Sequence, residues 1–386
     1  MFPIREVASA GSSQRELRTG RVVDDRTQTA IGLAEQVLAV LEDGKFSATY
    51  KYALFLALTD LCIENGASTD QAPAFTTRQL ARRVLDIYWS HSREFPRKGV
   101  LRQSGSGIHR IVKWVEAFRR DCGIDDLVPL RTLESMAEFQ TLLDKVEAKL
   151  IEDPIPRLQV LQGRPVPFLY DCPWTLPITP RTVRHMVREG RGPSNVLQLR
   201  PGVAEGLIRL NGVLRPLVER EWARRVAKLN SFAEADVHEF LFDSPRLNTS
   251  PLRSHLRRMQ SGRCFFCAQS LDGQVHVDHF LPRARYADDS IDNLVLSDST
   301  CNSAKKALLP SAAHVSNWVA RFADPRLDEV VSSTGWSRDR SVSINVATAL
   351  YRRLPEGARL WHARTESTSI DVERETILRL LRQLAG

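Results

Sequence analysis

Residues 264–305 read CFFCAQSLDGQVHVDHFLPRARYADDSIDNLVLSDSTCNSAK. Four pieces of that stretch decide the fold: CFFC at 264–267, HVDHFLP at 276–282, DNLVL at 292–296 and CNSAK at 301–305. Apolar and polar residues alternate from Gln274 to Phe280, as in a half-buried strand, and Asn293–Leu296 is an apolar run of strand length. Ser299 to Leu308 suits a helix, with Ser297 or Asp298 as its cap. A strand pair, a loop and a helix in this order would bring Asp278-His279, Asn293 and Cys301-Asn302 together.

Taken jointly, the four pieces resemble the HNH, or ββα-metal, nucleases. The resemblance is strongest to the zinc-knuckle branch, which places a CxxC before the Asp-His pair and a Cys-Asn at the helix. The spacing from Asp278-His279 to Asn293 and Asn302 is also similar to that of the HNH domain in RNA-guided CRISPR nucleases. The resemblance covers about 50 residues, and its specificity comes from several separated elements agreeing in order.

It implies His279 as the general base that deprotonates water for attack on a scissile phosphate, a task suited to a group titrating near working pH. It implies Asp278 and Asn302 as holders of one divalent cation. Oxygen ligands with several waters suit Mg²⁺ or Mn²⁺, and the ion would stabilise charge on the phosphate and leaving group. Asn293 would brace the loop that orients the base and would not bind metal. Lys305, close to one helical turn beyond Asn302, is placed to reach a phosphate as a point charge.

One departure concerns the knuckle. The branch usually supplies two CxxC pairs, and here Asp298 stands where the partner of Cys301 would be. Zinc accepts a carboxylate, so Cys264, Cys267, Cys301 and Asp298 form a possible structural Zn²⁺ set. A weakened site, or a packed cluster without metal, stays open at this point. His276 is a further candidate for fourth ligand, although two residues before Asp278 on a strand it should face the catalytic cation instead.

Composition frames these readings. The chain has 386 residues, 42% hydrophobic and 26% charged, an ordinary globular balance. No apolar run is long enough for a membrane span, and the N-terminus lacks the apolar core of a secretory signal, so a cytoplasmic location is expected. Of six cysteines, Cys62, Cys122 and Cys172 are scattered, while the other three share one short stretch. That distribution is poor for a disulfide framework and better for a metal site in a reducing compartment. A net charge of +8 is compatible with binding a phosphate backbone but does not establish it.

The chain reads as α+β, mostly helical, with the ββα-metal HNH module in its C-terminal third. The expected divisions are 1–25 as a flexible N-terminus, 26–155 as a helical domain, and 156–250 as a small strand-containing insert followed by a long helix. They continue with 251–310 as the HNH module and 311–386 as a C-terminal helical segment, irregular between Val330 and Ser343. Short strands are expected at Leu158–Leu161, Val166–Tyr170 and Val196–Leu199, then a helix from about Ala204 to Asn230, interrupted or bent at Pro216.

Arg283, Arg285 and Lys306 are candidate nucleic-acid contacts, with Asp288, Asp289 and Asp292 as alternative partners for the two arginines. Arg78, Arg82 and Arg83 on a helix from Thr76, the run Arg97 to Arg120, and Arg181, Arg184, His185, Arg188 and Arg191 either track a backbone or form ordinary solvated faces. Trp89, Trp174, Trp222, Trp318 and Trp361 read as core anchors.

The expected function is metal-dependent endonucleolytic cleavage of DNA, in restriction or host defence as the resemblance implies. The alternatives are a non-catalytic nucleic-acid-binding subunit and a nuclease acting on RNA or structured DNA. One HNH site cuts one strand, so a double-strand break would need a dimer or partner protein, or two successive events.

Overall fold

The computed structural model describes residues 25–43, 49–65, 72–96, 98–125, 128, 130–242, 249–363 and 366–384. The expected flexible N-terminus lies almost wholly outside the described residues. Helices α1 (Asp25–Asp43) and α2 (Tyr50–Glu64) come first. Every residue of α2 from Tyr52 to Ile63 is buried, because the helix is apolar on all faces and is packed by neighbours on each.

Strand β1 (Ala74–Thr76) leads into α3 (Thr77–His91) through a capping box: the Thr76 side chain accepts from the Gln79 N–H, and the Gln79 side chain accepts from the Thr76 N–H. Next come β2 (Glu94–Phe95), β3 (Gly99–Val100), α4 (Arg110–Cys122), α5 (Ala137–Glu152) and the short α6 (Pro154–Arg157). Strands β4 (Val160–Leu161) and β5 (Arg164–Pro165) form a hairpin, and α7 (Pro180–Arg184) runs on into a π-turn at His185–Glu189. Strand β6 (Val196–Gln198) then pairs antiparallel with β1.

The strand expected at Val166–Tyr170 does not form. The backbone N–H groups of Phe168, Leu169 and Tyr170 donate to Oε1 of the single buried side chain Gln159, which satisfies them without a neighbouring strand.

Helix α8 (Val203–Asn230) continues through Pro216, which removes one hydrogen bond from its ladder. It packs on α1, α2 and α9 (Glu234–Leu241). Its Trp222 is fully buried and meets the rings of Tyr52, Tyr88, His91 and Phe242. All five tryptophans read as anchors are buried.

After α10 (Ser250–Met259) the chain forms β7 (Val275–His279), β8 (Leu294–Asp298) and α11 (Ser299–Lys305). The strands pair antiparallel, with Asp278 opposite Val295 and His279 opposite Leu294. Helix α11 stops three residues before the expected Leu308, because Lys306 takes a left-handed φ of 50° and turns the chain away.

The C-terminal part holds α12 (Ala312–Arg321), α13 (Arg326–Thr334), α14 (Arg340–Arg352), the pair β9 (Arg359–Trp361) and β10 (Ser367–Ser369), and α15 (Ile370–Arg382). The stretch expected to be irregular is mostly helical. Ser332, Ser333 and Thr334 turn their hydroxyls back onto carbonyls four residues earlier, so their polarity does not break α13. Only residues 335–339 lie between the two helices. Each sheet among the described residues has two strands, and the fold is α+β and mostly helical.

Candidate active site and metal centre

At the end of β7, Asp278 and His279 meet different surroundings. Asp278 faces α11, where the Lys305 ammonium lies 3.1 Å from its Oδ2 and donates to the His279 carbonyl at 2.8 Å. Lys305 is 2% exposed, and burial pushes its pKa down against the pull of Asp278. It therefore does not project to a phosphate as expected. On α11 it lies on the inner face, and the ammonium becomes an internal partner of the carboxylate.

Asn302, half-buried and three residues earlier on α11, shares the face that Lys305 turns to β7. Asp278 Oδ2 is buried, and its contact with the Lys305 ammonium is an ion pair without hydrogen-bond geometry, while Asn302 offers a neutral oxygen. These oxygen donors fit a hard divalent cation.

His279 faces the loop between the strands. Its Nε2 lies 2.7 Å from Asp289 Oδ1, and Arg283 Nη1 donates to both oxygens of the same carboxylate at 2.7 and 2.8 Å. Burial opposes ionisation of Asp289, but Arg283 and His279 overcome it and hold the carboxyl well below the usual range. An ionised carboxylate only accepts, so His279 donates from Nε2, and the neutral imidazole in that tautomer has its lone pair at Nδ1. From sequence, Asp289 stands out only as a possible partner for arginine. Its place on the imidazole depends on the loop folding back over ten residues, which no local pattern announces.

The loop is fixed from inside by Asn293, which is fully buried. Its Oδ1 accepts from the Leu281 N–H at 2.7 Å, and its Nδ2 donates to the carbonyls of Asp288 and Leu281. From one side the helical region holds the loop: Tyr286 donates to Glu64 at 2.7 Å, the Arg83 guanidinium lies over its ring, and Asn211 donates to the Arg285 carbonyl. From the other side the C-terminal helices hold it. Trp318 Nε1 donates to the Asp292 carbonyl and Trp336 Nε1 to the Asp289 carbonyl, each at 2.8 Å. Ser343 donates to the buried Asp288 carboxylate, and Asp292 accepts from the Asp339 N–H and Arg338.

At the opposite end of the strands, one ligand atom each from Cys264, Cys267, Cys301 and Asp298 lies within 4.8 Å of the others. A tetrahedral zinc with bonds of about 2.3 Å separates its ligands by about 3.8 Å, so a small contraction would close the shell. Burial pushes the Cys264 thiol up to about 11. Burial also opposes ionisation of Asp298, but the Cys301 N–H and the surrounding thiols hold it well below the usual carboxylate range. A carboxylate ringed by thiols fits a cation that would displace the thiol protons. Asp298 also caps α11 by accepting from Cys301 N at 2.8 Å. His276 is not part of this cluster.

The other basic candidates divide. Arg285 packs against α8, where a side chain at Gly212 would meet its guanidinium at 2.6 Å, while Lys306 is exposed. Arg78, Arg82 and Arg83 do not form a reader face. They pair with Asp144 and Glu147, with Asp86 and Glu134, and with Asp60, Glu64 and Asp86. Arg119 is buried and donates to Ser92 and the Trp89 carbonyl, whereas Arg97 lies outside the described residues. Arg181, Arg184, Arg188 and Arg191 are exposed on α7 and the turn that follows. Among the described residues no helix is long and apolar enough to cross a membrane.

Residues 266–311 match a family model described as HNH endonuclease. No curated protein matches the chain.

Proposed function

We propose that this chain, whose residues 266–311 form an HNH endonuclease module, is a metal-dependent endonuclease hydrolysing phosphodiester bonds of DNA. The observation that carries the reading is the His279 imidazole with its Nε2 held by ionised Asp289, beside an Asp278 carboxylate turned to α11.

His279 Nδ1 takes a proton from a water, and the water oxygen attacks phosphorus as the leaving oxygen departs. The Asp289 carboxylate keeps the imidazole in the required tautomer and stabilises the imidazolium that forms. Asn293 holds the loop that carries Asp289. Asp278 and Asn302 would hold Mg²⁺ or Mn²⁺, which supplies Lewis-acid stabilisation of charge on the phosphate and the leaving oxygen. Cys264, Cys267, Cys301 and Asp298 would hold a structural Zn²⁺ that ties the knuckle to α11.

A setting in restriction or host defence rests on family resemblance alone. One observation favours the second reading, a nucleic-acid-binding subunit that does not cut: the Lys305 ammonium already meets charge on Asp278 that a cation would take.

The test is cleavage of supercoiled plasmid, linear duplex, single strands and RNA in Mg²⁺ and in Mn²⁺, with EDTA and His279→Ala as controls. Metal-dependent nicking of duplex DNA that is lost in the variant supports the proposal. Cleavage of RNA alone moves the substrate, and binding without cleavage in either metal selects the second reading.

A further inference from the structure

We propose that α10 and the adjoining knuckle turn form the surface that grips the phosphate backbone of duplex DNA beside the cut, a proposal that rests on the nuclease reading for its substrate. The sequence of α10 is SPLRSHLRRM. Leu252 and Leu256, four residues apart, are fully buried, which leaves Arg253, Arg257 and Arg258 exposed on a helix with no acidic residue. Arg263, in the turn before Cys264, is likewise exposed and donates from Nη1 to the Ala268 carbonyl.

What separates these four arginines from those near the base is the absence of a carboxylate partner. Arg283 is neutralised by Asp289, Arg83 by Asp60 and Glu64, and Arg338 by Asp292 and Asp328. Among the described residues no acid lies within ion-pair distance of Arg253, Arg257, Arg258 or Arg263. Two nearby acids are engaged elsewhere: Asp324 is bound by Arg326, and Asp272 accepts from Ser270. The helix dipole favours cations in the last turn, which accounts for Arg257 and Arg258 but not for Arg253 or Arg263. Exposed guanidinium groups without acids are the means by which a protein releases counterions from a phosphate backbone.

The surface is fixed to the site. Immediately after α10, the Gln260 side chain makes two hydrogen bonds of 2.8 Å with the backbone of Leu296, donating to its carbonyl and accepting from its N–H. Leu296 lies two residues along β8 from Leu294, which faces His279, a distance of roughly 7 Å. Arg257 also donates to the Leu271 carbonyl, which joins the helix to the knuckle. A backbone held by α10 is thus kept in register with the imidazole. Another exposed arginine run lies on α7, which packs on α5, and among the described residues no hydrogen bond like those of Gln260 ties it to β7 or β8.

The test uses the full chain carrying His279→Ala, so that binding is read without cleavage. Affinity for a fluorescent duplex is measured across a salt series for this protein, for Arg253→Gln with Arg258→Gln, and for Arg184→Gln with Arg188→Gln. The α10 pair should weaken binding at least fivefold near 0.1 M salt and lower the salt slope by about 2, close to 0.9 for each phosphate no longer neutralised. The α7 pair should change neither. Unchanged affinity and slope in the α10 pair, an equal loss in the α7 pair, or no duplex binding by the parent protein overturns the proposal. Because cleavage by the unmodified chain is scored separately, a protein that binds through α10 but never cuts refutes the nuclease reading and leaves this surface standing.

Discussion

Asp289 binds His279 and Arg283 with the same carboxylate, so the group that orients the imidazole is itself oriented by a guanidinium. Asp289→Ala should slow cleavage by about 10- to 100-fold, the usual cost of losing such a supporting group, with DNA affinity unchanged. Single-turnover cleavage alongside binding measurements checks this. A rate within twofold of the parent would show that the imidazole needs no carboxylate.

Lys305 and Asp278 form a pair in which the ammonium is nearly inaccessible and the carboxylate side chain is 12% exposed. Lys305→Met should cost about 3–5 kcal/mol of stability, since it leaves a carboxylate without its partner charge. Adding Asp278→Asn should recover most of that loss. Urea unfolding of the two single variants and the double variant measures the coupling, and additive losses would deny it. Mg²⁺ should raise the stability of Lys305→Met more than that of the parent, because the cation then replaces the missing ammonium.

The knuckle should hold one zinc per chain, lost in Cys301→Ser and on strong chelation, with a fall in thermal midpoint in both cases. Asp298→Cys should keep the metal against a competing chelator at least as well as the parent. It should also forfeit about 1 kcal/mol of helix capping, because a thiol is a poor acceptor for the Cys301 N–H. Metal analysis during chelator titration decides the matter. Purified protein that never retains zinc would leave the four residues as a packed polar cluster.

His91 gives the fold an acid-sensitive core. It is 1% exposed and packed among Tyr88, Trp222 and Phe242, and burial pushes its pKa down to about 3. Above about pH 6.5 it is neutral in both folded and unfolded chains. Below that, only the unfolded chain takes up the proton, so stability falls by about 1.4 kcal/mol per pH unit until the folded value is reached. His91→Phe should remove this slope and be about 2 kcal/mol less acid-sensitive between pH 6.5 and pH 5. Denaturant unfolding at both pH values tests it, and parallel curves for the two proteins would contradict the assignment.

The strand pair and helix are legible because alternation from Gln274 to Phe280 and a short apolar run before Ser297 specify strands whatever lies around them. Lys305 misleads because spacing tells which residues share a helix face, not whether that face is inside or outside. Arg78, Arg82 and Arg83 look like a reader for the same reason; Asp86 lies on their own helix, but their other acids come from α2, α5 and the turn before α5, far away in the chain. Around Val330 the serines suggest a broken helix, yet their hydroxyls have helical carbonyls to bond. Helix α10 carries a readable signal in the spacing of Leu252 and Leu256, but its meaning depends on where the acids are not, which only the folded chain displays.

The grip on the loop from both flanks implies that the matched segment is too short to work when excised. Trp318, Trp336, Asp339 and Ser343 all lie beyond residue 311, and Glu64 and Asn211 come long before residue 266. A graft of the recognised portion into another scaffold would carry the imidazole and most of the knuckle but leave behind most of the external struts of the loop that carries Asp289. In this molecule the transplantable unit reaches at least from Glu64 to Ser343.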